Sequence, residues 1–300
     1  MTTLQKNILQ TLAYFDVFSY PLSQQQVYAF LPRNSITIGQ IGEELQQLVD
    51  IGIVQRHKDL YFVSDRTPDV VASRIENEHR ALMLMNKARW TGLFLKQMPF
   101  IRAVFITGSV SKNAATLSSD VDFMIVTAPN RLWIAKMILT SVRRIFLLNS
   151  IKYFCFNLFV TEKRLAFPEQ NIFNAIEIAT TQVLWNETMH RQFQSENSWI
   201  KKYLPNWLAK EPSVHVLSNS PSPFQTIAEA VMNIFPMTKL DTFFMNVARS
   251  YWRKRNAHLD EGKFNSLFQC KPYISSVWYD DHQTHIMNKY LSKLAQLGVE

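Results

Sequence analysis

The spacing of apolar residues divides the N-terminal part of the chain into helical and extended stretches. Apolar positions recur at three- and four-residue intervals in three segments, which predicts three short helices. These segments are residues 4–15, 23–31 and 37–51. Ser23 and Thr37 are of the type that caps helix N-termini, and Gly52 is suited to end the third helix. Two apolar stretches then flank a polar tip within residues 53–63, which predicts a β-hairpin.

The N-terminal region, residues 1–66, resembles a winged helix-turn-helix domain, a common DNA-binding fold. The third predicted helix would be the one to enter the DNA groove, but it carries three acidic residues and no Lys or Arg. Because DNA affinity depends mainly on cationic side chains, Arg56 and Lys58 in the hairpin are a small basic footprint. We therefore expect this region to serve packing or protein contacts, with DNA binding less favoured.

The rest of the chain predicts a mixed α/β core followed by a mainly helical region. A long amphipathic helix is predicted over residues 68–97, and a second helix over 131–148. Short apolar runs predict three strands, at residues 103–107, 121–126 and 153–160. From residue 168 onwards the pattern is mostly helical. We expect three domains: a winged-helix-like domain over 1–66, a core with a mixed sheet over 67–165, and a helical C-terminal domain over 166–300.

Composition narrows the class of protein. Apolar residues make up 47% of the chain, enough for packed cores, and no apolar run approaches the roughly 20 residues of a membrane-spanning helix. With no N-terminal signal pattern, we expect a cytoplasmic protein without a membrane span. Only Cys155 and Cys270 occur, without a CxxC pair, so neither a disulfide framework nor a structural zinc site is indicated. The net charge of +8 favours phosphate-bearing partners.

The candidate chemistry lies around the first two predicted core strands. Gly108 and Ser109 follow the first strand, where a glycine lets the backbone approach a phosphate and a hydroxyl can donate to it. Asp120 and Asp122 begin the second strand. Alternate residues of a strand point to the same face, so the two carboxylates lie side by side. Carboxylate oxygens are the ligands that Mg²⁺ prefers.

This run of residues resembles a known superfamily. An apolar strand, Gly-Ser, a short intervening stretch and Ser-Asp-hydrophobic-Asp-hydrophobic, all within residues 105–126, are similar to the polymerase-beta-like nucleotidyltransferases, which include DNA polymerase beta and antibiotic nucleotidyltransferases. More narrowly, Arg131-Leu132-Trp133 and the winged-helix-like region are similar to uncharacterised bacterial nucleotidyltransferase-domain proteins.

The resemblance implies a nucleotidyltransferase fold and a set of residue roles. Asp120 and Asp122 are expected to bind Mg²⁺ or Mn²⁺. A nucleoside triphosphate is the expected substrate, and its nucleoside monophosphate passes to the hydroxyl of an acceptor that is a small molecule, a saccharide, a nucleic acid or a protein. The expected nucleotide-binding residues are Gly108, Ser109, Lys112 and Ser119.

The third carboxylate of the superfamily is missing from its expected strand. No acidic residue lies between Asp122 and Glu162, and the strand over 153–160 offers only Asn157 as an inward-facing polar residue. Three explanations stay open: Glu162 or Glu177 fills the role, the acceptor supplies its own base, or the domain binds nucleotide without transferring it. We assign Glu162 as the third catalytic residue, and keep a catalytically silent nucleotide-binding regulator or adaptor as the alternative function.

Overall fold

The computed structural model describes residues 1–146, 154–208, 216–277 and 282–299. Its N-terminal region contains the three predicted helices and the predicted hairpin. The elements are α1 (Thr3–Asp16), β1 (Leu22–Ser23), α2 (Gln24–Phe30), α3 (Ile38–Asp50), β2 (Val54–His57) and β3 (Leu60–Val63). The three strands form an antiparallel sheet in the order β1-β3-β2.

Local signals in the sequence fix the ends of these helices. Ser23 and Thr37 each accept a hydrogen bond from the backbone three residues on, and the Gln at that position bonds back to the cap, so both predicted caps form capping boxes. Gly52 follows α3 with a φ of 77°, the left-handed conformation that ends helices and that glycine adopts without strain. The expected cap positions are thereby confirmed.

The central region supplies the predicted long helix and three strands. The elements are α4 (Asp69–Leu95), β4 (Ile101–Thr107), α5 (Gly108–Ser111), β5 (Asp122–Thr127), α6 (Leu132–Phe146) and β6 (Cys155–Thr161). Strands β4 and β5 pair antiparallel, whereas β5 and β6 pair parallel and flank α6 in the chain. The expected mixed sheet in an α+β protein is confirmed.

The C-terminal part of the chain is not a separate helical domain. It contains α7 (Ile172–Ala179), β7 (Gln182–Trp185), α8 (Glu187–Glu196), a 3-10 helix (Ser198–Lys202), α9 (Pro223–Met232), α10 (Met237–Arg255), α11 (Glu261–Leu267), β8 (Phe268–Lys271), β9 (Ile274–Val277) and α12 (His282–Gln296). Strands β7, β8 and β9 join the central sheet, whose order is β7-β4-β5-β6-β9-β8. The predicted boundary at residue 166 is therefore wrong, because half of the sheet's strands come from beyond it.

The N-terminal region also shares its core with the sheet. Buried residues of α1, α2 and α3 belong to the same apolar cluster as Phe105 and Met124 on one sheet face. Helix α12 reinforces this packing, because Lys293 bonds Asp16 of α1 at 2.9 Å and Tyr290 packs edge-on against Tyr14. The other face of the sheet is covered by a second cluster that includes residues of α4 and α6.

Helices α9 and α10 attach to the sheet through buried polar contacts. The carboxylate of Asp241 in α10 accepts the backbone amides of Trp133 and Ile134, at 2.8 and 2.9 Å, and so caps the start of α6. Glu229 in α9 forms a paired contact with Arg102 at 2.8 Å. None of the helices in the described part of the chain combines the length and the apolar character that crossing a bilayer requires.

Candidate functional site

The two aspartates of the Asp-x-Asp pattern lie together at one edge of the central sheet. Asp122 is the first residue of β5 and pairs with Thr107, the last residue of β4. Val121 and Phe123 are fully buried, so the alternation of the strand leaves Asp120 and Asp122 half-buried on the opposite face. The predicted convergence of these two carboxylates is therefore present in the structure.

The backbone of Gly108 packs directly against the side chain of Asp122. It has a φ of 69°, and a Cβ atom built on it would lie 2.4 Å from the Oδ2 atom of Asp122. Two demands therefore meet at this position, a left-handed backbone and a close approach to the carboxylate, and only glycine satisfies both. The turn and the aspartate form one unit, although thirteen positions separate them in the chain.

The start of β6 brings two more polar side chains to the aspartates. Cys155 pairs in register with Asp122, and the register then shifts before Met124 pairs with Leu158. Asn157 donates from its Nδ2 atom to Oδ1 of Asp122 at 2.9 Å. Asn157, expected to be the inward-facing polar residue of this strand, thus contacts Asp122 directly.

Asp120, Asp122 and Cys155 form a group that could hold a metal ion. One carboxylate oxygen from each aspartate and the Sγ atom of Cys155 all lie within 4.8 Å of one another. Burial and the two nearby carboxylates raise the pKa of the Cys155 thiol. A sulfur atom is also a softer ligand than Mg²⁺ prefers. The two carboxylates, with an amide oxygen of Asn157 available by rotation, form an oxygen donor set that suits Mg²⁺ or Mn²⁺.

The electrostatics of Asp122 also fit a cation. Burial, followed by the charge of Asp120, raises the pKa of Asp122 to about 6. Two carboxylates in a partly buried position repel one another, and a divalent cation between them would remove that repulsion. A hydrogen bond from Cys155 and the charge of Lys112 both lower the pKa of Asp122, but they offset only part of the rise.

The predicted nucleotide-binding residues cluster around the Gly-Ser turn. Ser109 donates its hydroxyl to Ser119 at 3.0 Å, and Ser119 in turn accepts the backbone amide of Thr116 at 2.9 Å. Lys112 donates to the carbonyl of Gly108 at 3.2 Å and to Glu177 at 2.6 Å. The first-turn amides of α5 have no partners within the helix, as at any helix start.

Glu162, assigned as the third catalytic residue, lies at the wrong end of the sheet. Strand β6 runs parallel to β5, with Cys155 beside Asp122 and Thr161 beside Thr127, so Glu162 follows the far end of both strands. Six residues of strand separate it from Cys155, a distance of roughly 20 Å. The assignment of Glu162 is therefore wrong. Glu177 is the acidic residue near the site, since its charge contributes to the raised pKa of Asp122.

A large cleft opens next to the Gly-Ser turn, between the N-terminal region and the sheet. Its volume is about 1080 Å³, and it includes Ser111, Lys112 and Asn113 of the segment that follows Gly108-Ser109. The rest of the wall includes aromatic side chains, uncharged hydrogen-bonding groups and a few charged residues. Its aromatic residues are Phe15, Tyr20, Phe30 and Trp207, and its uncharged polar residues include Gln25, Gln182, His190 and Gln194.

The charged side chains in the wall of this cleft form ion pairs with neighbouring residues of opposite charge. Lys112 bonds Glu177 at 2.6 Å, Arg74 bonds Glu78 at 2.8 Å, and Arg191 bonds Glu187. The partial burial of His190 lowers its pKa to about 4, so the imidazole is neutral at pH 7. The cleft therefore combines apolar surface with polar groups and carries little net charge.

Comparison of the chain with models of protein families, with curated proteins and with solved structures finds no match. The geometry of the site and the sequence pattern are therefore what supports a function.

Sequence reasoning missed Cys155 as part of the site, and it treated Glu177 as the weaker alternative to Glu162. A usable signal existed for Cys155, because it stands two residues before Asn157 and alternation places both on one strand face. No local signal brings Glu177 of α7 to Lys112, since the two residues are 65 positions apart in the chain.

Proposed function

We propose that this chain is a metal-dependent nucleotidyltransferase of the polymerase-beta-like kind, which passes a nucleoside monophosphate from a nucleoside triphosphate to an acceptor hydroxyl. The observation that carries the proposal is the unit formed by Gly108 and the Asp120–Asp122 pair. Here a glycine with no room for a side chain packs under one of two converging carboxylates.

Each residue of the site has a role in this reaction. Asp120 and Asp122 would hold Mg²⁺ or Mn²⁺, which supplies charge neutralisation for the triphosphate when bound. The first-turn amides of α5 and the hydroxyl of Ser109 would orient phosphate oxygens. The acceptor oxygen attacks the α-phosphorus, the bond to the bridging oxygen of the β-phosphate breaks, and pyrophosphate leaves with that electron pair.

The acceptor proton needs a destination, and the described residues supply one candidate near the aspartates. Glu177 is ionisable and accepts a hydrogen bond from Lys112. Lys112 also donates to the carbonyl of Gly108 in the turn. We propose that Glu177, directly or through water, receives this proton, replacing the wrongly assigned Glu162. Asn157 cannot accept it, because an amide has no basic atom at neutral pH.

The cleft beside Lys112 is the proposed acceptor site. Its matched charges and its uncharged amide, hydroxyl and aromatic groups favour a neutral, hydroxyl-bearing acceptor over a nucleic acid. Helix α3, the expected groove-reading helix of the winged-helix-like region, carries Glu43 and Asp50 in exposed positions and no cation. That supports protein or packing contacts for the region, with DNA binding less favoured.

A second candidate function, nucleotide binding without transfer, is favoured by Asn157. Its amide bonds Asp122 at 2.9 Å, on the strand where the superfamily resemblance leads one to expect a carboxylate. A site with two carboxylates and an amide would bind metal and triphosphate but activate the acceptor poorly. The chain would then act as a nucleotide-responsive regulator or adaptor.

The first test is a thermal-shift comparison of the four nucleoside triphosphates with and without Mg²⁺. A ligand at one hundred times its Kd stabilises the native state by about 2.7 kcal/mol, which corresponds to a rise in Tm of roughly 5 °C for a chain of this size. We expect a Mg²⁺-dependent rise with at least one nucleotide, lost in Asp120→Asn and in Asp122→Asn. Asp59→Asn is the matched control, because the Asp59 side chain is 95% exposed on the hairpin.

The second test separates the two candidate functions. A triphosphate labelled at its α-phosphate is incubated with the protein, Mg²⁺ and neutral saccharides or RNA, and label transfer and pyrophosphate release are measured. Transfer that disappears in Asp122→Asn supports the enzyme. Nucleotide-dependent stabilisation without pyrophosphate release supports the silent regulator, and full transfer by Asp122→Asn would rule out the proposed site.

A further inference from the structure

Helices α9 and α10, with the turn between them, expose an unusual amount of apolar surface. Nine large apolar side chains in this segment are between 38% and 80% exposed. They are Phe224, Ile227, Val231, Ile234, Phe235, Leu240, Phe243, Val247 and Tyr251. At roughly 100 Å² each, these side chains present on the order of 900 Å² in total over the two helices and the turn.

The exposed residues follow helical spacing, so they form stripes rather than scattered points. In α10 the stripe recurs every three or four residues from Leu240 to Tyr251, while Asp241 and its neighbours along the same helix face the protein. In α9, Phe224, Ile227 and Val231 lie away from Gln225, which bonds backbone carbonyls of the sheet region. Each helix is therefore anchored by polar contacts and displays an apolar flank to solvent.

The exposed charged side chains of this segment are all positive. Residues 223–259 contain five Lys and Arg and two acidic residues. Both acids are turned inward, because Glu229 pairs with Arg102 and Asp241 caps α6. Lys239 and Lys254 are exposed and have no carboxylate partner among the described residues, whereas Arg249 and Arg253 contact Glu261 at 3.4 and 3.9 Å.

We propose that α9 and α10 form a docking surface for a bilayer that contains anionic lipids. Aromatic and aliphatic side chains flanked by Lys and Arg on a helix are the composition of interfacial helices, which bury their apolar face among acyl chains and pair cations with headgroups. A second copy of this chain is a poorer occupant, because the exposed parts of these helices offer no carboxylate to balance Lys239 and Lys254. Docking by this surface holds the protein on a bilayer without crossing it.

The test uses the full chain and two sets of vesicles, phosphatidylcholine alone and phosphatidylcholine mixed with phosphatidylglycerol. We expect co-sedimentation with the mixed vesicles, weak or no binding to phosphatidylcholine alone, and a fall in binding as salt is raised. Size-exclusion chromatography with light scattering on the same sample gives the oligomeric state.

Two pairs of substitutions probe the two components of the surface. Ile227→Ser with Phe243→Ser removes exposed apolar side chains and should abolish sedimentation, whereas Trp90→Ser removes a side chain that is 76% exposed on α4 and should not. Lys239→Glu with Lys254→Glu should weaken binding at least fivefold per cation, as expected for a charge near an anionic surface. Lys6→Glu, at an exposed position of α1, is the matched control.

Three results would overturn the proposal. The first is no sedimentation of the wild-type protein with anionic vesicles. The second is unchanged binding after the two apolar substitutions. The third is a wild-type dimer that these substitutions dissociate without any vesicle binding, which would make the surface a homodimer interface. None of these results bears on nucleotidyl transfer. That activity is tested separately, with the variants Asp120→Asn and Asp122→Asn.

Discussion

Replacing Gly108 by Ala tests whether the turn and the metal-binding aspartate act as one unit. Gly108 has a φ of 69°, so an alanine there adopts a left-handed backbone that costs about 1–2 kcal/mol. The lower entropy of the unfolded alanine chain returns about 0.4–1 kcal/mol, which leaves a loss of about 1 kcal/mol. The same substitution at another glycine with a left-handed backbone, but with no side chain nearby, should show this backbone cost alone.

Gly52→Ala is that matched control. Gly52 has a φ of 77° and no atom within 4 Å of the position its Cβ would occupy, whereas the Cβ of Gly108→Ala would lie 2.4 Å from Oδ2 of Asp122. The carboxylate must move by about 1 Å to restore ordinary contact, which costs about 1 kcal/mol more in a strained rotamer. We expect the same movement to weaken the 2.9 Å hydrogen bond from Asn157 to the Oδ1 atom of Asp122.

The assay is thermal unfolding with and without Mg²⁺ and nucleoside triphosphate. We expect Tm to fall by roughly 2 °C in Gly52→Ala and roughly 4 °C in Gly108→Ala, at about 2 °C per kcal/mol for a chain of this size. The Mg²⁺-dependent stabilisation by nucleotide should survive in Gly52→Ala and disappear in Gly108→Ala. Equal nucleotide stabilisation in both variants would refute the reasoning, because Asp122 would then tolerate the displacement.

Three further predictions concern individual buried or polar groups. Asn157→Asp places a third carboxylate beside Asp122, and we expect tighter Mg²⁺ binding by isothermal titration together with a lower Tm of the metal-free protein. The pKa of His190 is lowered from 6.5 to about 4, so its stabilising effect is complete above pH 6.5 and is lost as pH falls towards 4. The free energy of unfolding measured with urea should therefore fall less between pH 6.5 and 4 in His190→Gln than in the wild type, by up to about 3 kcal/mol. Asp241→Ala leaves two buried amides of α6 without an acceptor, and we expect a loss of about 2–4 kcal/mol in urea unfolding, with Asp241→Asn much milder.

Each of these predictions has a contradicting outcome. Unchanged Mg²⁺ affinity in Asn157→Asp would show that the side chain does not reach the metal position. A pH dependence of stability identical in wild type and His190→Gln would place the acid sensitivity elsewhere. Equal losses in Asp241→Ala and Asp241→Asn would show that side-chain packing, and not the hydrogen bonds to α6, explains the effect.

The sequence predicted best those features that depend on short-range signals. The N-terminal helices carry caps within three residues of their starts, and the Asp120–Asp122 pair follows from strand alternation alone. Strands β7, β8 and β9 are each four residues long. The central strands with which β7 and β9 pair, β4 and β6, lie far away in the chain. Four residues are too few for the alternation of apolar and polar positions to predict a strand. The C-terminal region was therefore wrongly interpreted as a helical domain.

The error at Glu162 has a different cause. Its position just after a predicted strand made it a candidate, but the direction of that strand decides which sheet edge the residue occupies. A strand, a helix and a second strand in one sheet normally connect as a parallel pair, which places the start of β6, and not its end, beside Asp122. The connection rule was available from the predicted element order, whereas the contact between Lys112 and Glu177 required tertiary packing.

The late position of β8 and β9 in the chain has a consequence for synthesis on the ribosome. Strand β6 pairs with β9, so its outer edge, next to the candidate site, stays unpaired until residues 274–277 have emerged. An unpaired strand edge is a template for pairing with other chains, and domains that complete their sheet late are prone to aggregation. The nascent protein therefore carries the open edge of β6 through more than one hundred residues of elongation.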